Sequence, residues 1–339
     1  MKRLIVTLVT AWLGLAPVLA SANNNLVAGG TDTQNVSWEI RNNAGGLVSS
    51  GGLFAARLNH CGVRLSTGNI FLGGGTGSLT TWEIRNSSGG LVTNGTFAAS
   101  RDNGFTCTVL SNGNIFIAGG QATTNGWEIR NSSGALVSTG TLNASRKDHT
   151  ATLLSTGNVL IVGGSISTFS WEVRNSAGGL VSSGTPWAAR WYHCAVALAN
   201  GNVFIGGGAG SLGSWEIRTN TGGLVSTGTF WGSRDFYFTC DLLQNGNIII
   251  IGGQANLQNW EIRNQSGALV SNGTLWASRF GHRASVQSDT GNVLITGGAT
   301  GGNPNSPANT WELRSSTGAL ISNGTLQQQR ELGHSLTQY

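Results

Sequence analysis

Five histidines are the side chains of this chain most suited to proton transfer or metal binding: His60, His149, His193, His282 and His334. An imidazole can ligate a metal or exchange a proton near neutral pH. Their placement is regular. Four stand three residues after an arginine, and His334 stands four after Arg330. A ring of such groups about one axis could relay protons or hold an ion, with His60, His149, His193 and His282 as weak metal candidates. Ligation requires several donors within about 2 Å of one ion. Two of the repeat units lack the histidine, so the competing reading is a packing and hydrogen-bonding position of the repeat. No cofactor is implied by these residues.

Carboxylates form two groups. Asp102, Asp148, Asp235 and Glu331 fall just after the arginine at that position of the repeat. Paired carboxylates there could do acid–base work on a sugar, whereas isolated loop acids are usually solvated. Seven further glutamates lie in a Trp-Glu-aliphatic-Arg element, beginning at Trp38, Trp82, Trp127, Trp171, Trp215, Trp260 and Trp311. Buried charge must be paired, so these read as interblade ion pairs and hydrogen bonds.

Aromatic residues that could bind a ligand cluster in one stretch of the chain. Trp187, Trp231 and Trp276 each precede one of the arginines by three residues. Trp191, Tyr192, Phe236, Tyr237 and Phe280 are close by, with Asp235 beside them. Such rings suit stacking on sugars or anchoring a protein partner. The alternative is that they cover apolar junctions. Cys61, Cys107, Cys194 and Cys240 are even in number, which in an exported chain favours disulfides. Adjacent first strands suggest Cys61–Cys107 and Cys194–Cys240; four buried thiols are the alternative.

The elements that must position these groups are repeats. The Trp-Glu-x-Arg elements recur at intervals of 44, 45, 44, 44, 45 and 51, each after a Gly-Gly pair. Residues 146–189 show one unit plainly. His149 to Leu154 reads as strand one, Val159 to Val162 as strand two, Trp171 to Arg174 as strand three and Leu180 to Gly184 as strand four. Gly/Asn turns join one to two and three to four. A period of about 40–50 residues with four strands predicts propeller blades.

The unit resembles the kelch family, especially bacterial kelch-like repeats similar to the propeller of copper-radical (galactose) oxidases. The matching residues are Arg146-x-x-His149, Leu154, Gly157-Asn158-Val159-Leu160, Gly163-Gly164, Glu172, Gly178 and Gly184-Thr185. The match covers 23–339. Trp171 and the Leu-Val of strand four depart from the usual pattern. The resemblance implies an all-β, seven-bladed propeller of four-stranded blades. It does not imply one activity. Tyr192-His193 is similar to a ligand pair of those oxidases, but the three tyrosines of the chain supply no further matching set.

The two ends complete one blade. The C-terminus stops after a first strand, and the segment from Asn23 to Gly30 opens as a second strand, so their pairing closes the ring and removes an open edge. Cys61 and Cys194, Cys107 and Cys240, and Trp38 and Trp171 are all 133 residues apart, the mark of a three-blade duplication. Met1-Lys2-Arg3, an apolar run to Ala20 and Ala20-Ser21-Ala22 read as a secretory signal over 1–22, leaving one domain over 23–339. The expected location is secreted, periplasmic or cell-surface. No other stretch reaches the length of a membrane span.

Of the 17 Lys and Arg left after the signal, fourteen are arginines at two repeat positions, spread round the ring, which argues against nucleic-acid binding. The turns joining strands one–two and three–four barely vary, while the other two connections vary and emerge on one face. The expected function is therefore a monomeric exported binding module that takes a glycan or surface protein on that face. The alternative is a sugar-acting enzyme of the epimerase, mutarotase or carbohydrate-oxidase kind, and a purely structural surface component is a third reading.

Overall fold

The computed structural model describes residues 24–30, 36–122, 125–164, 169–254, 258–299, 309–330 and 333–339. The expected leader at 1–22, Glu331 and most of the long insertion after Ala299 lie outside them. Among the described residues, 28 strands form seven four-stranded antiparallel sheets, and the fold is a seven-bladed β-propeller. The unit read from 146–189 has strands Thr150–Leu153, Val159–Val162, Trp171–Arg174 and Leu180–Gly184.

The first strands adjoin one another around the axis. They begin at Cys61, Thr106, Thr150, Cys194, Thr239, Arg283 and Ser335, which number blades one to seven. In blade seven the N-terminal strand Asn25–Ala28 lies between Ser335–Gln338 and Ser37–Arg41, so the two ends share a sheet as expected.

Second strands are buried on both faces because each blade packs against two neighbours. In blade two, Ile115 and Ile117 join a cluster with Phe71 and Trp82 of blade one. The alternate residues Phe116 and Ala118 join Val159 and Ile161 of blade three. This is the period-two geometry of a strand used twice.

The tryptophan of strand three explains a glycine of the next blade. Trp127 lies against the turn between strands three and four of blade three, where a Cβ on Gly178 would run into its ring. Gly178 also has φ 88°, a left-handed conformation that a side chain strains. The same contact joins Trp311 to Gly45 and so spans the closing junction.

The neighbouring glutamate is fully buried and shared. In blade three, Glu172 Oε1 takes Arg146 at 3.2 Å, and Oε2 takes Arg174 at 2.6 Å. Oε2 also accepts the backbone N–H of Asn143, which arrives from blade two. The ion pairs thus run within one unit. Across the blade boundary these arginines reach the backbone instead, as Arg130 Nη2 donates to the carbonyl of Thr96 at 2.8 Å. This corrects the expectation of ion pairs between blades. Loop arginine and glutamate are far apart in the chain, as Arg146 and Glu172 are, and the folding of one blade brings the pair together.

Candidate functional site

All five histidines are buried and serve the blade junctions. His60 Nε2 meets Ser335 Oγ at 2.9 Å, His149 meets Thr106 Oγ1 at 3.0 Å, His193 meets Thr150 Oγ1 at 2.9 Å and His282 meets Thr239 Oγ1 at 3.0 Å. In each case the hydroxyl is the first residue of the preceding blade's first strand. Burial, reinforced by nearby arginines, lowers their pKa values, to about 3 for His149 and His193 and well below 6.5 for the others. The imidazoles are neutral at physiological pH. Among the described residues, no three His, Cys, Asp or Glu gather as a metal site requires.

Blades two and five carry Phe105 and Phe238 at the histidine position. At these two junctions the preceding residue that would supply a hydroxyl is Cys61 or Cys194. Each is bonded to the next blade, as Cys61–Cys107 and Cys194–Cys240, with Cα atoms 6.1 and 6.0 Å apart. Phe105 and Phe238 pack with these cystines. A cystine with phenylalanine and a hydroxyl with histidine are therefore two solutions to the same contact. Two disulfides also point to an oxidising environment.

Directly before each of these residues the chain takes a left-handed turn. The seven positions are Asn59, Gly104, Asp148, Tyr192, Tyr237, Gly281 and Gly333, with φ between 55° and 75°. Four are not glycine, and tyrosine in this region is strained. Main-chain bonds from blade to blade hold the ring, including Asn59 N to Gly333 O at 2.8 Å and Tyr192 N to Asp148 O at 3.0 Å. The side chains surround a cavity of about 230 Å³ at the mouth of the central channel, on the variable face.

One wall of this mouth is aromatic. Tyr192 lies 5.3 Å from Phe236 and 5.2 Å from Tyr237 between ring centroids, and Tyr237 lies 6.3 Å from Phe280. The Tyr192 phenol is hydrogen-bonded to Asp148 and Tyr237. Its pKa is pushed up by burial first and then by the Asp148 charge, so it stays a protonated donor. Asp148, expected to be a solvated loop acid, is instead buried. Asp102 accepts hydrogen bonds from Thr76 and Asn103, and Asp235 is half-buried beside Gly253.

The candidates divide between two places. Tyr192 and Tyr237 line the mouth, with Phe236 packed against both. Trp187, Trp231 and Trp276 are about half exposed. The backbone N–H groups of Trp187 and Trp231 bond to Glu216 and Glu261 on third strands, which sets the tryptophans further from the axis. Trp191 is half-buried and its main chain bridges to Ala209. For a copper centre the Tyr192–His193 pair does not fit. The phenol is engaged by Asp148 and Tyr237, and the imidazole by Thr150 at the blade junction.

Two residues of the mouth escaped the reading of the sequence, Asn59 and Arg283, and Asp148 was weighed only as one of four loop acids. The usable signal was the repeat itself. At the mouth position the seven units disagree, and at the next-but-one position Arg283 stands among Cys, Thr and Ser.

No family model matches the chain, and no curated protein matches it. Solved structures share its fold. A functionally uncharacterised protein from Desulfotomaculum acetoxidans has a TM-score of 0.68 at 10% identity, covering 93% of this chain and 99% of that one. A fungal alcohol oxidase of the AA5 family in complex with copper has a TM-score of 0.63 at 16% identity, covering 81% of this chain and 66% of its own length. Virginiamycin B lyase from Staphylococcus aureus has a TM-score of 0.61 at 9% identity, covering 82% and 90%. This chain thus spans just under two-thirds of the oxidase.

Proposed function

We propose that the chain is a kelch-like propeller exported from the cell, acting as a binding module that takes a glycan on its variable face. The observation carrying this reading is the one-sided mouth, where Tyr192 and Tyr237, backed by Phe236 and Phe280, line part of a small cavity that also offers Asn59 and Asp148. Rings give a sugar face an apolar surface, and the amide, carboxylate and phenol exchange hydrogen bonds with its hydroxyls. The cavity lies below the roughly 300–1,000 Å³ of drug-sized sites, so it suits one terminal ring. Trp187, Trp231 and Trp276 would then contact more distant residues of the chain.

The neighbours do not favour one chemistry. They include an oxidase and a lyase by description, at identities that speak to fold alone. The hydrogen-bonded series Asp148–Tyr192–Tyr237 is the observation that keeps a sugar-acting enzyme as the second reading, because it could shift a proton along its length. A glycan array with wild type, Tyr237→Ala and the double variant Trp187→Ala/Trp231→Ala tests the proposal. Binding should be lost in the first and weakened severalfold in the second. Unchanged binding in both removes the site. Turnover of a bound sugar would select the enzymatic reading.

A further inference from the structure

Arg283 breaks the pattern of the repeat at a place where the break needs compensation. The first residue of the first strand is Cys61, Thr106, Thr150, Cys194, Thr239 or Ser335 in the other six blades. Each joins its blade to the next through a histidine or a cystine. An arginine cannot supply the hydroxyl that His334 needs. That hydroxyl comes instead from Thr296, at 3.1 Å, on the second strand directly across from Arg283. The residues across from this position in the other blades are Gly73, Ala118, Val162, Gly206, Ile251 and Ala28, none with a polar side chain. Blade six therefore keeps its histidine contact by moving the hydroxyl, and the vacated position carries a guanidinium.

That guanidinium lines the mouth cavity. Its Nε donates to the carbonyl of His334 at 2.9 Å, and Nη1 lies 3.4 Å from the carbonyl of His282, which fixes the head from one side. Fourteen arginines are ion-paired to the strand-three glutamates; Arg283 is not among them. The cavity's histidines are neutral, so among its described lining residues Arg283 is the one cation. Asp148 stands three blades away, nearly across the ring, with Tyr192 and Tyr237 between them. The mouth thus has a cationic side, an aromatic wall and an acceptor side.

Resting on the glycan reading above, we infer that the mouth selects a saccharide carrying a carboxylate, with the acid group on Arg283 and hydroxyls toward Asp148 and Asn59. A guanidinium held by its own main-chain contacts offers a charge-assisted pair to a planar anion. A neutral sugar would leave that charge facing the cavity without an anion.

An array of matched carboxylated and neutral saccharides, followed by titration calorimetry of the full chain with the best acidic ligand, its neutral counterpart and acetate, tests this. Wild type should prefer the acidic saccharide at least tenfold. Arg283→Thr, which restores the residue type of other blades, should abolish the preference, and Arg283→Lys should keep part of it. Thermal melting shows whether each variant folds. Equal binding of acidic and neutral sugars, or a preference surviving in a folded Arg283→Thr protein, overturns the assignment to Arg283 and leaves the glycan module standing. Acetate binding as tightly as the acidic sugar overturns the saccharide part. An array on which nothing binds overturns both readings.

Discussion

The third strands and the axial mouth are built from equal numbers of equivalent positions, yet one set is uniform and the other is not. Trp-Glu-x-Arg is written seven times, whereas the mouth reads Asn, Gly, Asp, Tyr, Tyr, Gly, Gly. The difference follows from what each side chain touches. Glu172 is fully buried, shared by two arginines and a backbone N–H from another blade, so few other residue types would satisfy its neighbours. At the mouth, the ring is held largely by main-chain bonds, and the side chain is left to vary. Uniformity marks what holds the blades together, and variation marks where a ligand can be met.

Acid should have the largest effect, acting on the histidine junctions that lie beside the mouth. Folding lowers the imidazole pKa from 6.5 to about 3 at His149 and His193, and lowers His60, His282 and His334 also. Between those values the unfolded chain binds more protons, so this stability is whole above pH 6.5 and drains as pH falls toward 3. Asp241, in the channel wall, works in the opposite sense. Burial raises its pKa to about 7, so its ionisation penalises the folded state as pH rises through 4 to 7. Five histidines oppose one aspartate. Denaturant midpoints measured from pH 8 to pH 4 should fall overall, and Asp241→Asn should gain stability at pH 8 and little at pH 4. A flat profile would show that the histidines are not held neutral by burial.

Breaking one copy of the network comes next. Glu172→Gln leaves Arg146 and Arg174 buried without their anion and should cost about 3–5 kcal/mol in urea unfolding. A cost below about 1 kcal/mol would place the stability elsewhere.

Removing a cystine should matter less. Cys194→Ala/Cys240→Ala opens a link of sequence separation 46, and typical losses are about 2–4 kcal/mol. Installing the other solution, Cys194→Thr/Cys240→Ala with Phe238→His, should recover part of that loss. Melting temperatures of the two variants compare them directly.

The smallest effect on stability belongs to the mouth. Tyr192→Phe keeps the ring contacts and loses the phenol's hydrogen bonds, about 1 kcal/mol. Calorimetry should show ligand affinity reduced well beyond that change in stability. If affinity holds while stability falls by several kcal/mol, the two regions are not divided as described.

Much of this was legible without coordinates, for physical reasons that differ by residue. The strand boundaries of 146–189 could be read because glycine and asparagine turns separate short apolar runs at a fixed period. Closure by Asn25–Ala28 and Ser335–Gln338 followed from two half-units at the ends. The cystine pairs were legible as one of two alternatives, since adjacent first strands are close but their separation is not written in the chain. Asp148 was misread because a loop acid looks solvated until the neighbouring phenol is seen. Arg283 was passed over because one basic residue in one unit looks like drift until Thr296 is found across from it.

The sequence by itself determined the repeat, the strand order, the closing of the ring and the face on which variation is concentrated. Those depend on local turns and on periodic burial, which act over a few residues. Tertiary structure decided which side chains share the axis. Residues about 45 apart in the chain become neighbours around the ring, so the mouth exists only after all seven blades are in place. The substitution of cystine for the histidine contact, and the placing of Arg283 nearly across from Asp148, belong to that assembled ring.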